Sequence, residues 1–456
     1  MKIIVLGAGQ VGTSVASWLV KEGIDITVVD NNPEKLRNLQ QKYDIRTISG
    51  NGALPSVLQA AGAKDCDLLV ATTSSDEVNL LACQIAFHLF KIPKRIARIR
   101  AQDYAEHATM CCDEQIAVSV MINPEELLTE YIHSSILYPS ALEVMDFANG
   151  KIKLVGIKAL TGGPLVHQKV SSLREHIPNI DSRVAAIYRD TTAIMPEGDT
   201  IIEPEDEVFF LTESKYIGDV MSELRKVEKD NRRVIIAGGG HIGERLAIAL
   251  QKKHRVKIIE TNGDRCEELT NTLSNTVVLK GSCVDRRLLV EENIGDCDIF
   301  CAITNSDEIN IMSCLLAKNY GAKKTIALVS NLDYEEIFDG DKSALAIDKI
   351  IEPQQITVSS ILSYVRRGDV VKVHSLRHGA AEAFEVIAHG GEHTSILVGK
   401  KLEDITLPHG VRIGALVRGS KVLMAHRDVV VEAEDHLVFF VIDKNSIEAV
   451  EELLQS

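Results

Sequence analysis

Short apolar runs alternate along the chain with segments whose apolar positions recur every three or four residues. The first run, residues 3–6, precedes a helical pattern that includes Val15, Ala16 and Leu19, and a second run ends on Asp30. Continuous apolar runs are typical of parallel strands covered on both faces, and the helical pattern is typical of the helices that cover them. We therefore predict a doubly wound α/β sheet with right-handed crossovers.

A glycine motif, Gly7-x-Gly9-x-x-Gly12, lies between the first strand and the first helix. The first two glycines allow a tight turn and close approach of a dinucleotide pyrophosphate, and the third lets the helix pack closely on the sheet. The pyrophosphate would lie at the positive end of the helix. Asp30, at the tip of the next strand, can accept hydrogen bonds from ribose hydroxyls and would repel a 2′-phosphate, which favours NAD or an unmodified adenosine over NADP.

The whole arrangement occurs a second time, at an offset near 231 residues. Residues 233–260 repeat the apolar run, the motif Gly238-x-Gly240-x-x-Gly243, the amphipathic helix and a terminal acid, Glu260. Two complete fingerprints in one chain are much less likely to be accidental than one.

Each α/β half is followed by short strands separated by turn residues, which predicts a small α+β lobe. The predicted fold class is α/β, with two doubly wound parallel-sheet (Rossmann) domains, each followed by such a lobe. The boundaries are 1–122 for the first Rossmann domain, 123–142 for a crossover helix, 143–228 for the first lobe, 232–348 for the second Rossmann domain, 349–367 for a second crossover helix and 368–453 for the second lobe. Other predicted features are a sixth strand at 116–118, lobe strands at 152–157, 183–187 and 207–211, a turn at Glu205-Asp206 and a helix at 217–227.

Hydroxyl side chains follow another buried run, residues 65–71. Thr72, Thr73 and Ser74 lie where that predicted strand ends, and strand carboxyl ends of a doubly wound sheet face the ligand crevice. They are therefore candidates for contact with a nicotinamide or a ribose. The alternative is that they only cap the following helix, predicted over residues 78–90.

Arg98 lies inside the next apolar strand, predicted over residues 95–99. A cation there is costly without a counter-charge, which a phosphate, or Asp30 and its neighbours, would supply. The corresponding stretch of the second half, residues 325–330, contains no cation. The two predicted sites should therefore differ in affinity or in ligand.

Composition excludes several classes of protein. A formal net charge of −15 argues against nucleic acid as the main partner, because phosphate contacts need clustered Lys and Arg. No run approaches the roughly 18 apolar residues of a membrane-spanning helix, and the chain starts with a strand instead of a signal sequence, so we expect a cytoplasmic protein without direct membrane insertion. The nine cysteines, an odd number, suggest reduced thiols, and without zinc-type spacing we predict no metal.

No catalytic residues are predicted. The candidate proton donors or acceptors in the lobes, His167, His176, Lys372 and His374, do not recur between the halves, and there is no nucleophile elbow or P-loop. The lack of a recognisable catalytic group favours nucleotide sensing without turnover. The alternatives are a soluble NAD-dependent oxidoreductase with duplicated dinucleotide-binding domains and a scaffold with vestigial sites.

The Gly7-Ala-Gly-Gln-Val-Gly12 turn, Asp30, the segment Ser74-Ser-Asp-Glu-Val-Asn79 and the duplicated layout resemble the tandem RCK (KTN) subunits of bacterial Trk potassium uptake systems. The resemblance implies a regulatory subunit, not an enzyme, that binds NAD(H) or ATP/ADP. It also implies a homo-oligomer, a tetrameric ring, on the cytoplasmic face of the membrane beneath a potassium-translocating TrkH/TrkG-like partner. The implied ligand contacts are Gly7, Ala8, Gly9, Gln10, Val11, Gly12, Asp30, Thr73, Ser74 and Arg98, then Gly238, Gly239, Gly240, His241, Ile242, Gly243, Glu260, Thr304 and Asn305.

Overall fold

The computed structural model describes the chain except residues 102, 105–106, 108–114, 191, 226–231, 332–346, 366–369, 377–380, 392–394, 443–445, 447–448 and 451–456. The chain forms two compact units. Unit 1 combines Met1–His133 with Asp230–Ile361, and unit 2 combines Ser134–Lys229 with Leu362–Ser456. The two Rossmann domains thus belong to one unit and the two small lobes to the other.

The first Rossmann domain is a parallel sheet of six strands with helices in the crossovers. Its elements are β1 (Lys2–Leu6), α1 (Gln10–Lys21), β2 (Asp25–Asp30), α2 (Pro33–Lys42), β3 (Arg46–Ser49), α3 (Pro55–Ala60), β4 (Leu68–Ala71), α4 (Asp76–Phe90), β5 (Lys94–Arg98) and β6 (Val120–Ile122). The strand order is β3-β2-β1-β4-β5-β6. β4 is buried along its whole length, which confirms the interpretation of continuous apolar runs as two-face-covered parallel strands.

The sixth strand lies at Val120–Ile122 and not at the predicted residues 116–118. Apolar character alone misplaced it, because Ala117 and Val118 are buried in the core without joining the sheet. The carbonyl of Ala117 instead accepts a hydrogen bond from Nε of the buried Arg95 at 2.8 Å. The crossover helix that follows, α5 (Pro124–Leu137), ends before Pro139, as the sequence predicts.

The first small lobe contains one five-stranded antiparallel sheet. Its elements are β7 (Ala141–Phe147), β8 (Ile152–Lys158), α6 (Leu173–His176), β9 (Ser182–Arg189), β10 (Thr192–Ile194), β11 (Glu207–Glu213) and α7 (Ile217–Ser222), with the strand order β10-β9-β11-β8-β7. Strands β8, β9 and β11 were predicted, whereas β7 and β10 were not. Helix α7 is also shorter than the predicted 217–227, of which residues 226–227 lie outside the described part of the chain.

The second half repeats both architectures. Its Rossmann domain consists of β12 (Arg233–Ala237), α8 (His241–Leu250), β13 (Arg255–Glu260), α9 (Gly263–Thr272), β14 (Thr276–Lys280), α10 (Arg286–Glu291), β15 (Ile299–Ala302), α11 (Asp307–Asn319), β16 (Lys324–Leu328) and β17 (Lys349–Ile351), followed by α12 (Pro353–Ser363). Its lobe consists of β18 (Val370–Leu376), β19 (Ala381–Ile387), β20 (Val411–Arg418), β21 (Lys421–Met424) and β22 (His436–Val441). The strand orders are β14-β13-β12-β15-β16-β17 and β18-β19-β22-β20-β21.

The two small lobes share one hydrophobic core within unit 2. Phe147 and Phe209 of the first lobe belong to the same buried cluster as Leu376 and Phe440 of the second. The rings of Phe209 and Phe440 lie 6.2 Å apart, centroid to centroid. The lobes are therefore packed sheet against sheet.

The turn predicted at Glu205-Asp206 is present, and its acid also has a structural role. Asp206 is fully buried, and its carboxylate accepts two hydrogen bonds from Arg189, both at 2.9 Å. Asp435 and Arg418 form the same bidentate pair in the second lobe, at 2.9 and 2.7 Å. The Pro-Glu-Asp and Ala-Glu-Asp turns thus repeat because each supplies a structural carboxylate.

Candidate functional site

The glycine turn after β1 has the geometry that its sequence predicts. Gly7 has a φ of +102°, and a Cβ there would lie 3.0 Å from the carbonyl oxygen of Thr72. A Cβ on Gly12 would lie 1.8 Å from the carbonyl oxygen of Gly7, so this glycine lets α1 pack against the turn. Gly9 differs from both, because a Cβ there would meet no atom within 4 Å. The space beside Gly9 is open.

This open space belongs to a cavity of about 310 Å³ at the carboxyl ends of the strands. Its size lies at the lower end of small-molecule sites, which span about 300–1,000 Å³. The cavity is lined by Gly7, Gly9, Gln10, Val11, Val29, Asp30, Asn31, Lys35, Gly50, Asn51, Gly52, Thr72, Thr73, Ser74, Ser75, Val78, Arg98 and Arg100. The predicted residues of the first half therefore come together, except that Ala8 and Gly12 shape the turn behind the lining.

Asp30 is held against the glycine turn. One carboxylate oxygen accepts a hydrogen bond from the backbone N–H of Ala8 at 2.6 Å, and the other accepts from the N–H of Asn32 at 2.7 Å. The side chain of Asn32 in turn caps α2. This arrangement fixes the acid at the edge of the cavity, where it can still accept hydrogen bonds from a ligand.

The hydroxyl cluster after β4 divides its roles among neighbouring residues. Ser75 is the residue that caps α4, since its hydroxyl accepts from the N–H of Val78 at 3.2 Å. Thr73 donates to the side-chain oxygen of Asn79 at 2.7 Å, and Thr72 donates to the carbonyl of Leu6 at 3.0 Å. The helix-capping alternative thus does not describe Thr72, Thr73 or Ser74, which line the cavity.

Arg98 is a buried cation at the cavity wall. Its side chain is 9% exposed, and its Nε has no hydrogen-bond partner in the described part of the chain. Burial and the neighbouring Arg100, opposed by Asp76, lower the pKa of Arg98 to about 10. Asp76 is thus the acid that acts on Arg98 in the described part of the chain, whereas the sequence predicts a phosphate, or Asp30 and its neighbours, as the counter-charge.

Asn79, the last residue of the segment Ser74–Asn79, has a structural role that was not predicted from the sequence. It is fully buried, accepts from the backbone N–H of Thr73 at 2.9 Å and donates to the carbonyl of Arg98 at 2.8 Å. It therefore ties the ends of β4 and β5 together around the cavity. Its recurrence as Asn310, with the same contacts to Thr304 and to the carbonyl of Leu328, is the signal that could have revealed it.

The second glycine turn repeats the backbone geometry of the first. Gly238 has a φ of +113°, and a Cβ on Gly243 would lie 2.1 Å from the carbonyl oxygen of Gly238. A Cβ on Gly240 would meet no atom within 4 Å, as at Gly9. His241 and Ile242 open α8, and His241 is exposed.

The acid and the cation beside the second turn differ from those of the first. Glu260 accepts from the N–H groups of Gly239 and Asn262, both at 2.8 Å. Although burial opposes the shift, these hydrogen bonds lower the pKa of Glu260. Arg265, which corresponds to Lys35, donates to the carbonyl of Gly239 at 2.8 Å and to Glu244 at 2.6 Å. This cation is thus tied to protein groups around the turn.

Leu328 occupies the position of Arg98, as the alignment of the halves predicts, and it is buried. Thr304 reproduces the contacts of Thr73 with a 2.7 Å hydrogen bond to Asn310, and Asn305 is exposed. We call each glycine turn, together with the acid and the strand ends beside it, a cradle. The second cradle therefore keeps the backbone turn and the acid but has an apolar residue where the first has a cation.

Two of the candidate proton-transfer residues of the lobes have structural contacts. His176 pairs with the buried Glu223 at 2.7 Å, and Nε2 of His374 lies 3.2 Å from the carbonyl oxygen of Asp146. In the described part of the chain, no group of three His, Cys, Asp or Glu side chains is arranged to hold a metal ion. Nor does any helix there combine the length and apolar character needed to cross a membrane.

Known protein families match both halves of the chain. The TrkA-N domain family matches residues 3–124 and 234–353, and the TrkA-C domain family matches residues 154–225 and 392–455. The chain is 53% identical to the Trk system potassium uptake protein TrkA of Halomonas elongata, over 100% of this chain and 99% of that one. The chain belongs to the TrkA family. A TrkA protein of Vibrio alginolyticus is 52% identical over 100% of this chain and 99% of its own length.

Solved structures share the fold of this TrkA-family chain at much lower identity. The GsuK RCK domain aligns with a TM-score of 0.61 and 14% identity, covering 100% of this chain and 95% of that one. A GsuK channel described as bound to NAD aligns with a TM-score of 0.59 and 14% identity, covering 100% and 79%. The predicted fold class and the predicted resemblance to tandem RCK subunits are both confirmed.

Proposed function

We propose that this chain is the nucleotide-sensing regulatory subunit of a Trk-type potassium uptake system, with NAD(H) or ATP/ADP as an effector. The observation that carries the proposal is the first cradle. There an open glycine turn, an ordered acid and a buried arginine line one cavity of about 310 Å³. Membership of the TrkA family supports a role in potassium uptake, and this cavity supports the proposal of nucleotide binding.

The residues present fit a nucleotide. Gly9 begins α1 without a side-chain cap, so N–H groups of its first turn are available to phosphate oxygens. The space that a Cβ would fill at Gly9 allows the backbone to approach a pyrophosphate closely. Asp30 is positioned to accept from ribose hydroxyls, and the Nε of Arg98 can donate a charge-assisted hydrogen bond to a phosphate.

Charge favours phosphate-rich ligands in the first cradle. Lys35, Arg98 and Arg100 line the cavity together with a single acid, Asp30. A phosphate group beside a buried guanidinium gains more than it would in water, because the local dielectric is lower. Since Leu328 replaces Arg98 in the second half, we propose that the second cradle binds phosphates more weakly or takes a different ligand.

The effector acts by shifting a population and is not consumed. The chain forms a homo-oligomer, a tetrameric ring, on the cytoplasmic face of the membrane beneath a TrkH/TrkG-like subunit. A nucleotide that binds one ring geometry more tightly favours that geometry, and the membrane subunit opens or closes with it. Nucleotides with different numbers of phosphates then act differently at the same cradle.

Calorimetric titration of the purified full chain with NADH, ADP and ATP tests the binding step. Arg98→Gln should weaken the tighter site at least roughly tenfold, since a hydrogen bond to a charged group contributes about 1.5–3 kcal/mol. Arg37→Gln, which removes an exposed cation outside the cavity lining, is the matched control and should leave binding unchanged. Equal affinity in wild type and Arg98→Gln would contradict the assignment.

Potassium flux in proteoliposomes that contain a TrkH-like protein and this chain tests the regulatory step. Flux should depend on the added nucleotide, and Arg98→Gln should blunt that response. Sustained oxidation of NADH with a panel of oxo acids would instead support the oxidoreductase alternative. Absence of nucleotide binding to both halves would support the scaffold alternative.

A further inference from the structure

Arginines from both small lobes gather around one short segment of unit 2, residues 425–427. Arg183 on β9 donates to the carbonyl oxygen of Ala425. Arg174 lies 3.1 Å from Nδ1 of His426, and Arg427 is the next residue in the chain. Two arginines of the first lobe thus meet a third from the second lobe.

Arg412 on β20 completes the group. It lies two residues before Gly414, whose carbonyl accepts from the N–H of Ala425 at 3.1 Å. Its guanidinium donates to the carbonyl of Pro196 in the first lobe at 2.6 Å. We call Arg174, Arg183, Arg412 and Arg427 the arginine cluster.

Positive charge outweighs negative charge around Arg183, the most buried contact of the cluster with residues 425–427. Burial lowers the pKa of Arg183, and the other three arginines lower it further, whereas Asp181 acts in the opposite direction. Asp181 is the one acid found to act on Arg183 in the described part of the chain, and both its carboxylate oxygens lie 3.2 Å from Nε2 of His426. At Arg183, three neighbouring guanidinium groups are thus opposed by one carboxylate, in a chain whose net charge is −15.

Such an arrangement is unfavourable unless an anion compensates it. Guanidinium groups present planar pairs of donors that match phosphate oxygens. Arg174 and Arg427 are exposed, and Arg183 and Arg412 are half-buried, so the cluster is open to solvent at one side and anchored to backbone carbonyls at the other. The hydrogen bonds to Ala425 and Pro196 also limit the side-chain entropy that a ligand would have to remove.

We propose that the arginine cluster binds a small, multiply charged phosphate anion. The site belongs to unit 2, and it neither uses nor requires the glycine cradles of unit 1. Because the first lobe contributes Arg174 and Arg183 and the second lobe contributes Arg412 and Arg427, the anion bridges the lobes. Its binding therefore stabilises the shared small-lobe core.

Calorimetric titration of the full chain with inorganic pyrophosphate tests the proposal. Removing two exposed members, in the variant Arg174→Gln/Arg427→Gln, should weaken pyrophosphate binding at least roughly tenfold, since each supplies charge-assisted hydrogen bonds. Lys421→Gln removes one exposed charge at the far end of the β20–β21 hairpin and should change the affinity less than about twofold. In thermal scans, pyrophosphate should raise the melting temperature of wild type and of Lys421→Gln but not of the double variant.

Pyrophosphate is also small enough to enter the first cradle, and Arg98→Gln separates the two sites. Under the proposal, Arg98→Gln retains the pyrophosphate binding that the double variant loses. Loss of that binding in Arg98→Gln with retention in the double variant would overturn the proposal. Absence of saturable binding to wild type at millimolar pyrophosphate would overturn it too, whatever nucleotides do at the cradles.

Discussion

Replacing Gly9 by alanine should separate ligand binding from folding in the first cradle. The residue has extended backbone that alanine adopts readily, and its Cβ would meet no protein atom within 4 Å. Alanine is a poorer N-cap than glycine by about 0.5–1 kcal/mol, and the less flexible unfolded chain offsets this by about 0.4–1 kcal/mol. We expect the free energy of unfolding to change by less than about 1 kcal/mol, while the methyl group occupies the space proposed for the pyrophosphate.

Gly12→Ala is the contrasting change, because it should affect folding first. Its Cβ would lie 1.8 Å from the carbonyl oxygen of Gly7, and a backbone atom cannot rotate out of the way. Alanine gains about 1 kcal/mol over glycine inside a helix, but overpacking costs about 1–3 kcal/mol even against side chains. Since the contact is with a backbone atom, the cost should reach at least the upper end of that range, so we expect a net loss of at least about 2 kcal/mol, or roughly 4–8 °C in melting temperature.

Differential scanning fluorimetry and calorimetric titration with NADH or ATP measure both effects on the same samples. Gly240→Ala is the matched control, since it adds a Cβ to equally open space in the second cradle and should remove binding there alone. Unchanged affinity and stoichiometry in Gly9→Ala would refute the placement of phosphates at the start of α1. Wild-type stability in Gly12→Ala would refute the close contact between α1 and the turn.

Three further predictions concern the first cradle, the second small lobe and the buried thiols. Asn79→Ala leaves the half-buried N–H of Thr73 and the carbonyl of Arg98 without this partner. Urea denaturation should therefore show a loss of roughly 2–4 kcal/mol in the free energy of unfolding, and a loss below about 1 kcal/mol would contradict this role. Burial and Lys372, opposed by Asp146, lower the pKa of His374 to about 4, so the unfolded chain takes up this proton first. The contribution of neutral His374 to the free energy of unfolding should be complete above about pH 6.5 and should fall toward pH 4 by at most about 1.4 kcal/mol per pH unit. In His374→Gln the urea midpoint should fall less steeply with pH, and an unchanged pH dependence of the midpoint would exclude the histidine as its cause. Burial raises the pKa of Cys66 to about 11 and that of Cys297 and Cys301 to about 12. Since seven of the nine cysteines are buried free thiols, Ellman's reagent should titrate at most two thiols in the folded protein and nine after denaturation. Rapid titration of more than two thiols in the folded protein would contradict the burial.

Local chemistry explains why much of the cradle could be predicted. Gly7 and Gly12 are dictated by a positive φ and by a backbone contact, and both constraints act within a dozen residues. Asp30 could be placed at the same edge because parallel strands end together. The second half repeats the same backbone geometry at Gly238 and Gly243.

Features that depend on distant partners could not be predicted in the same way. The apolar residues 116–118 resemble a strand, yet the sheet edge pairs with Val120–Ile122 instead. Asp206 looks like a turn residue until Arg189, seventeen positions earlier, is brought beside it by sheet pairing. The arginine cluster joins positions about 250 residues apart, which neither spacing nor composition indicates.

The core shared by the two lobes also has a consequence for the symmetry of the chain. If the chain were divided into two proteins, each half would expose the apolar sheet face that contains either Phe209 or Phe440, and such a face would associate with a second copy of itself. The duplicated chain is thus comparable to a homodimer whose partners are covalently linked. In a true homodimer a single mutation changes both sites at once, whereas here each half carries its own residue, Arg98 in one and Leu328 in the other. Covalent linkage therefore permits two sites of different composition around one shared core.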